Sequence, residues 1–260
     1  MKNFSSGLLF LAVLFLSFSP NGLPQASETS RQGAPTPRRD LNGVWSGNAV
    51  MQLEPVAEMT AWGQDLFDAA RPLRGPRAVP VAESNDGFAM CDPLGFPRNI
   101  LYEMRGVEFA QTQNKMLMLF QYQRVWREIW TDGRSLPSNI GGDAPDSLDP
   151  RWYGYSIGRW VDDYTFVVNS TGFNETGWSD SLGHPRSTEA RIEERYHRID
   201  RDTIEITVTI DDPKAYIEPF VAMREVLRWD PNQEFEEQLC VPSEALNYLS
   251  TFRPREQPTP

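Results

Sequence analysis

The chain has 260 residues, with 25 basic against 36 acidic side chains and a net charge of −11. That balance argues against nucleic acid or an anionic membrane surface as partner, because phosphate binding needs basic patches. The length suits one large all-β domain or two small ones.

At the N-terminus, Lys2 precedes the apolar run Leu8–Leu16, and Pro24-Gln25-Ala26 offers a small residue for cleavage. The run is too short for a bilayer core of about 30 Å. The layout therefore predicts a cleaved secretory signal over residues 1–26 and a periplasmic or secreted location. No later apolar stretch is long enough to span a membrane. Residues 27–39 are polar and Pro-containing, as in a flexible linker. A single β domain is expected over 40–254, with a disordered tail at 255–260.

Glu58–Ala70 carries Met59, Trp62, Leu66 and Phe67 at helical spacing and stops before Pro72, which predicts one amphipathic helix. Residues 71–99 hold five prolines and three glycines, a loop composition. From Ile100 onward the signal is β. Strands are expected over Leu101–Thr112, Lys115–Gln123, Arg124–Trp130, Tyr153–Trp160, Thr165–Ser170, Arg191–Ile199, Thr203–Ile210 and Ala222–Trp229, with a last segment reaching Cys240. Long loops follow Asp132 and Thr171, and Ser243–Leu249 has the pattern of one or two helical turns. Many strands joined by tight turns, beside one helix, define an all-β fold: an antiparallel β-barrel or rolled sheet. Cys91 and Cys240 are the only cysteines, and in an oxidising compartment such a pair forms a disulfide.

Strand periodicity singles out charges. In Thr203–Ile210 the even positions Ile204, Ile206, Val208 and Ile210 form the core face. In the preceding strand Glu194 falls between Ile192 and Tyr196 on such a face. Within Val125–Trp130 each face sets one charge among apolar side chains. Buried charges need partners, so Arg127 is expected to pair with Glu194, a structural ion pair or the polar anchor of a site. The loop after Thr171 gathers Asn174, Trp178, Asp180, His184 and Glu189. His184 with Asp180 as orienter, or Glu194 alone, are the candidates for proton transfer. Trp126, Tyr155, Asn174 and Trp178 join Arg127 as candidate ligand contacts, and Trp152-Tyr153-Gly154-Tyr155 has the composition of a stacking wall or simply of core. Two histidines lack a zinc spacing, and Asp143, Asp146 and Asp149 do not match an EF-hand, although calcium remains open for them. No GxSxG elbow, P-loop or dinucleotide fingerprint is present, which disfavours hydrolase or nucleotide chemistry of those kinds, and no cofactor is expected.

Gly43-Val44-Trp45 resembles the GxW opening of lipocalin-like barrels, and Asp163-Tyr164 partly resembles their later TDY motif. The resemblance implies a lipocalin- or calycin-like barrel. The segments DGR (132–134), YSIGRW (155–160), TGFN (171–174), GHP (183–185), EERY (193–196) and TIDDPKAY (209–216) resemble an uncharacterised family of exported bacterial proteins. That second resemblance implies a bacterial, periplasmic setting and carries over no catalytic residue.

The functional expectation is a periplasmic barrel that binds a small, partly apolar ligand in its lumen, or transforms it without a cofactor. Two readings compete with it. One is a carbohydrate-active enzyme using two carboxylates from Asp180, Glu189, Glu193 and Glu194 with tryptophan platforms. The other is a non-catalytic interaction module. The oligomeric state is not legible.

Overall fold

The computed structural model describes residues 35–47, 55–101 and 106–252. The expected signal, most of the linker and the tail at 255–260 lie outside the described residues. Residues 35–39 are described, and Arg39 already touches the barrel, its N–H donating to the Asp163 carbonyl at 2.7 Å.

Among the described residues nine strands close into a barrel in chain order. They are β1 (Gly43–Ser46), β2 (Val107–Gln111), β3 (Lys115–Phe120), β4 (Trp126–Trp130), β5 (Tyr155–Trp160), β6 (Thr165–Thr171), β7 (Arg191–Asp200), β8 (Thr203–Asp211) and β9 (Phe220–Trp229). Three α-helices accompany them: α1 (Ala61–Ala69), α2 (Arg98–Leu101) and α3 (Pro242–Ser250). The sequence pattern is followed closely in β8, whose even positions from Ile204 to Ile210 are all buried. It is followed equally in β7, where Ile192, Glu194, Tyr196 and Arg198 turn inward.

The barrel is mixed rather than wholly antiparallel. Neighbours in a closed ring can alternate direction throughout only if their number is even. Nine strands therefore require one like-directed pair, and that pair is β4 with β5. Parallel neighbours need a long crossover, which residues 131–154 supply. The seam they form is held by one pairing, Trp130 with Ile157, whereas β7 and β8 pair along nearly their whole length.

Several expected elements differ in extent; the strand expected over Leu101–Thr112 is β2 from Val107 to Gln111, and Leu101 instead ends α2. The first helix starts at Ala61 because Thr60 caps it, accepting from the Gly63 N–H at 3.1 Å, while Met59 bridges to Tyr216 instead. The segment reaching Cys240 forms no strand; it touches the sheet through an isolated bridge from Tyr122 to Gln238. The C-terminal turns form a nine-residue helix, α3. The disulfide forms as expected, Cys91 to Cys240, with a Cα–Cα distance of 5.4 Å.

The strand directions put the tight turns at 112–114, 161–164 and 201–202 on one end of the barrel. There Trp45 is fully buried beneath the Arg198 guanidinium, 5.0 Å from its ring. Arg198 also donates to the carbonyls of Asp40 and Arg201, tying the first strand's lead to the β7–β8 turn. The other end is closed by segments 55–101, 172–190 and 212–219. Between the ends Phe109, Met116, Met118, Ile129, Phe166, Val168 and the β8 isoleucines fill the interior.

Candidate functional site

The Arg127–Glu194 pair predicted from strand faces is present, and it is the centre of an interior network. The guanidinium meets the carboxylate in a fork, Nη1 to Oε2 at 2.8 Å and Nη2 to Oε1 at 2.7 Å. Nη2 also donates to Ser156 Oγ at 2.8 Å and Ser170 Oγ at 2.6 Å, and Nε donates to Ser156 Oγ at 3.2 Å. Nη1 further contacts Met118 Sδ, and the Phe96 ring lies 4.0 Å below the guanidinium carbon. Tyr196 Oη donates to Glu194 Oε2 at 2.6 Å. All five guanidinium N–H groups are thus engaged within the protein.

The network laces five consecutive strands, β3 to β7, across the thinly paired seam. Its electrostatics follow from burial. Removal from water opposes the charge on Arg127, but the Glu194 carboxylate outweighs it and holds the guanidinium above its ordinary pKa. Burial, reinforced by the same carboxylate, pushes the Tyr196 phenol well above its ordinary range.

Against the outer wall at this seam lies a cavity of ≈ 830 Å³, open to solvent on one side. Strand alternation presents Trp126, Glu128 and Trp130 of β4 and Tyr155 and Ile157 of β5 outward, and the 131–154 crossover covers them. Arg134, Arg151, Trp152 and Tyr153 complete the wall, and the cavity reaches inward to Arg127 and Ser156. Tyr153 is half-buried, and that burial raises its phenol to about 12 against a hydrogen bond to the Gly95 backbone. Trp126, by contrast, is 63 % exposed. Three of the sequence-selected residues, Trp126, Arg127 and Tyr155, therefore meet at one cavity.

Asn174 and Trp178 stand elsewhere. The Asn174 carbonyl and Oδ1 accept from Arg186 Nη2 at 3.1 and 3.2 Å. Trp178 packs 5.5 Å from the Arg98 guanidinium, which forks onto Asp86 at 2.8 and 2.6 Å. Arg186 is fully buried and bonded to carbonyl oxygens, and burial lowers its pKa to about 10 despite the Asp212 carboxylate. Sequence reasoning missed Arg98, at the start of the short helix α2, and Arg186 and Asp212, which sit in loops; none belongs to a periodic pattern.

His184 and Asp180, the candidates for proton transfer, are hydrogen-bonded to each other. Nδ1–H donates to Asp180 Oδ2 at 2.5 Å, and Asp180 Oδ1 accepts the backbone N–H groups of Leu182 and His184. The imidazole stacks on Phe67 with centroids 4.7 Å apart. The pair does not wall the cavity at the seam.

The second cavity, ≈ 800 Å³, lies under the crossover beside β6 to β8 and is walled by Glu189, Arg191, Glu193 and Asp211, with no aromatic side chain. Glu193 and Glu194 face opposite sides of β7. The tryptophans and the paired carboxylates of a sugar-cleaving groove are therefore on different cavities. Among the described residues no three His, Cys, Asp or Glu side chains gather as a metal site, Asp143, Asp146 and Asp149 included. No helix there is long and apolar enough to cross a membrane.

These observations define a closed nine-stranded β-barrel with a saturated ionic network inside and an aromatic, cationic cavity on its outer wall. No protein-family model, curated protein or solved structure matches the chain.

Proposed function

We propose that this protein is an exported bacterial, periplasmic barrel that binds a small, partly apolar ligand in the cavity at the β4–β5 seam. The observation that carries this reading is the wall itself, where Trp126, Trp130, Trp152 and Tyr155 surround a space of drug-like size beside fixed polar groups. The ligand sits outside the barrel rather than in its lumen, because the interior is occupied by the core and by the Arg127–Glu194 network. Export is supported by the N-terminal signal pattern and by the Cys91–Cys240 disulfide, a bond that persists in oxidising compartments.

Native mass spectrometry of the processed protein, purified gently from a periplasm, tests the reading. A co-purifying small molecule that is lost in the Trp126→Ala, Trp152→Ala variant is the expected result. A clean apo mass, together with flat tryptophan emission across a panel of aromatic and aliphatic compounds, overturns it.

A further inference from the structure

We infer that the ligand taken at the seam is an anion on an aromatic body, with Arg151 as its anchor. This rests on the binding reading above and names its ligand class.

The charges on the wall are neutralised internally, with one exception. Glu128 accepts from Lys115 Nζ at 2.6 Å, and Arg134 bonds Asp132 through Nε and Nη2 at 2.6–3.1 Å. Arg127 is bound to Glu194. Arg151 is exposed and forms no ion pair among the described residues. Its guanidinium lies 4.2 Å from the Tyr155 ring. An uncompensated, planar donor fork on a cavity wall is suited to a carboxylate, sulfonate or phosphate.

The backbone that carries the fork is also held in place. The Arg151 N–H donates to the Gly172 carbonyl at 2.9 Å, and its own carbonyl accepts from Asn174 N at 3.0 Å. Tyr155, the ring beneath it, is fixed by its hydroxyl, which donates to the Asp149 carbonyl at 2.8 Å. Such preorganisation lowers the ordering cost of binding.

The aromatic half of the assignment follows from which rings are already occupied. Trp130 is covered by Lys115 at 4.0 Å and Arg134 at 3.4 Å, and Tyr155 by Arg151. Trp126 has no ring or cation partner among the described residues and is the most exposed ring of the wall. It is the surface left for a ligand ring to stack on.

Two fluorescent probes with one carbon frame isolate the charge: anilinonaphthalene sulfonate and the neutral N-phenylnaphthylamine. Titrated into the wild-type protein, the sulfonate is expected to bind about tenfold more tightly. Arg151→Gln abolishes that preference, and Trp126→Ala weakens both probes. Equal binding of the two probes, or a preference that survives Arg151→Gln, overturns the assignment while leaving the cavity a ligand site. If neither probe binds, and native mass spectrometry finds no adduct, the binding reading itself falls and the inference with it.

Discussion

Replacing Arg127 with methionine tests whether the interior network holds the barrel together. Glu194 is 0 % exposed, and in Arg127→Met its carboxylate keeps only the Tyr196 hydroxyl as a strong donor. Breaking a buried pair by removing one partner costs about 3–5 kcal/mol. For a domain of this size that corresponds to a Tm lower by roughly 6–20 °C. Removing the second charge should restore most of the loss. In Arg127→Met, Glu194→Leu the two serines retain their mutual hydrogen bond of 3.0 Å. The Tyr196 hydroxyl then keeps only the weak acceptor Met118 Sδ at 3.7 Å, a deficit of about 1–3 kcal/mol that Tyr196→Phe removes. The expected order of stability is single variant lowest, double variant intermediate, triple variant near wild type. Urea unfolding with the disulfide intact measures it, provided the m-value stays constant. Additive losses, with the triple variant least stable, would refute the reasoning.

Other outcomes follow from the same coordinates. A Cβ at Gly158 would lie 2.4 Å from Phe166 Cζ and 2.8 Å from Ile129 Cγ2, so Gly158→Ala should destabilise the barrel by about 1–3 kcal/mol in urea melts. The disulfide spans 149 residues, and the chain-entropy model gives it about 5 kcal/mol; Cys91→Ala, Cys240→Ala should lower the urea midpoint accordingly. Burial raises the phenols of Tyr153, Tyr196 and Tyr216 above the ordinary value of 10.0. The folded state thus favours their neutral forms, so this stability is complete below about pH 10 and is lost as pH rises further. Phenolate absorbance should show the three titrating together with alkaline unfolding rather than before it.

Much of the barrel was legible because its strands are half-buried and alternate. The same period placed Glu194 on the core face and limited Arg127 to one of two faces, and the need to neutralise a buried charge joined them. The parallel seam was not legible, since it depends on ring closure and not on any local pattern in β4 or β5. Arg98, Asp86 and Arg186 were missed for a related reason: their burial arises from non-strand segments folding over one barrel end. The segment before Cys240 misled because composition suggested a strand. Leu239 is in fact 57 % exposed, and the disulfide with a single bridge to Gln238, not a ladder, holds that stretch.

The position of the cavity follows from strand number. An odd ring must contain one parallel contact, and here the crossover that makes it possible runs over the outer wall instead of packing into the sheet. Where β4 and β5 share a single backbone pairing, side chains take over the joining: Arg127 reaches Ser156 across the gap and Ser170 and Glu194 beyond it. The opening that this leaves is roofed by the crossover, which brings Arg134, Arg151 and Trp152 against Trp126 and Tyr155. A fully laddered seam would place β4 and β5 side by side along their length and close the path from the wall to Arg127. The weakest joint of the sheet is therefore also where a polar interior, an aromatic wall and a cation without an ion pair among the described residues line one cavity.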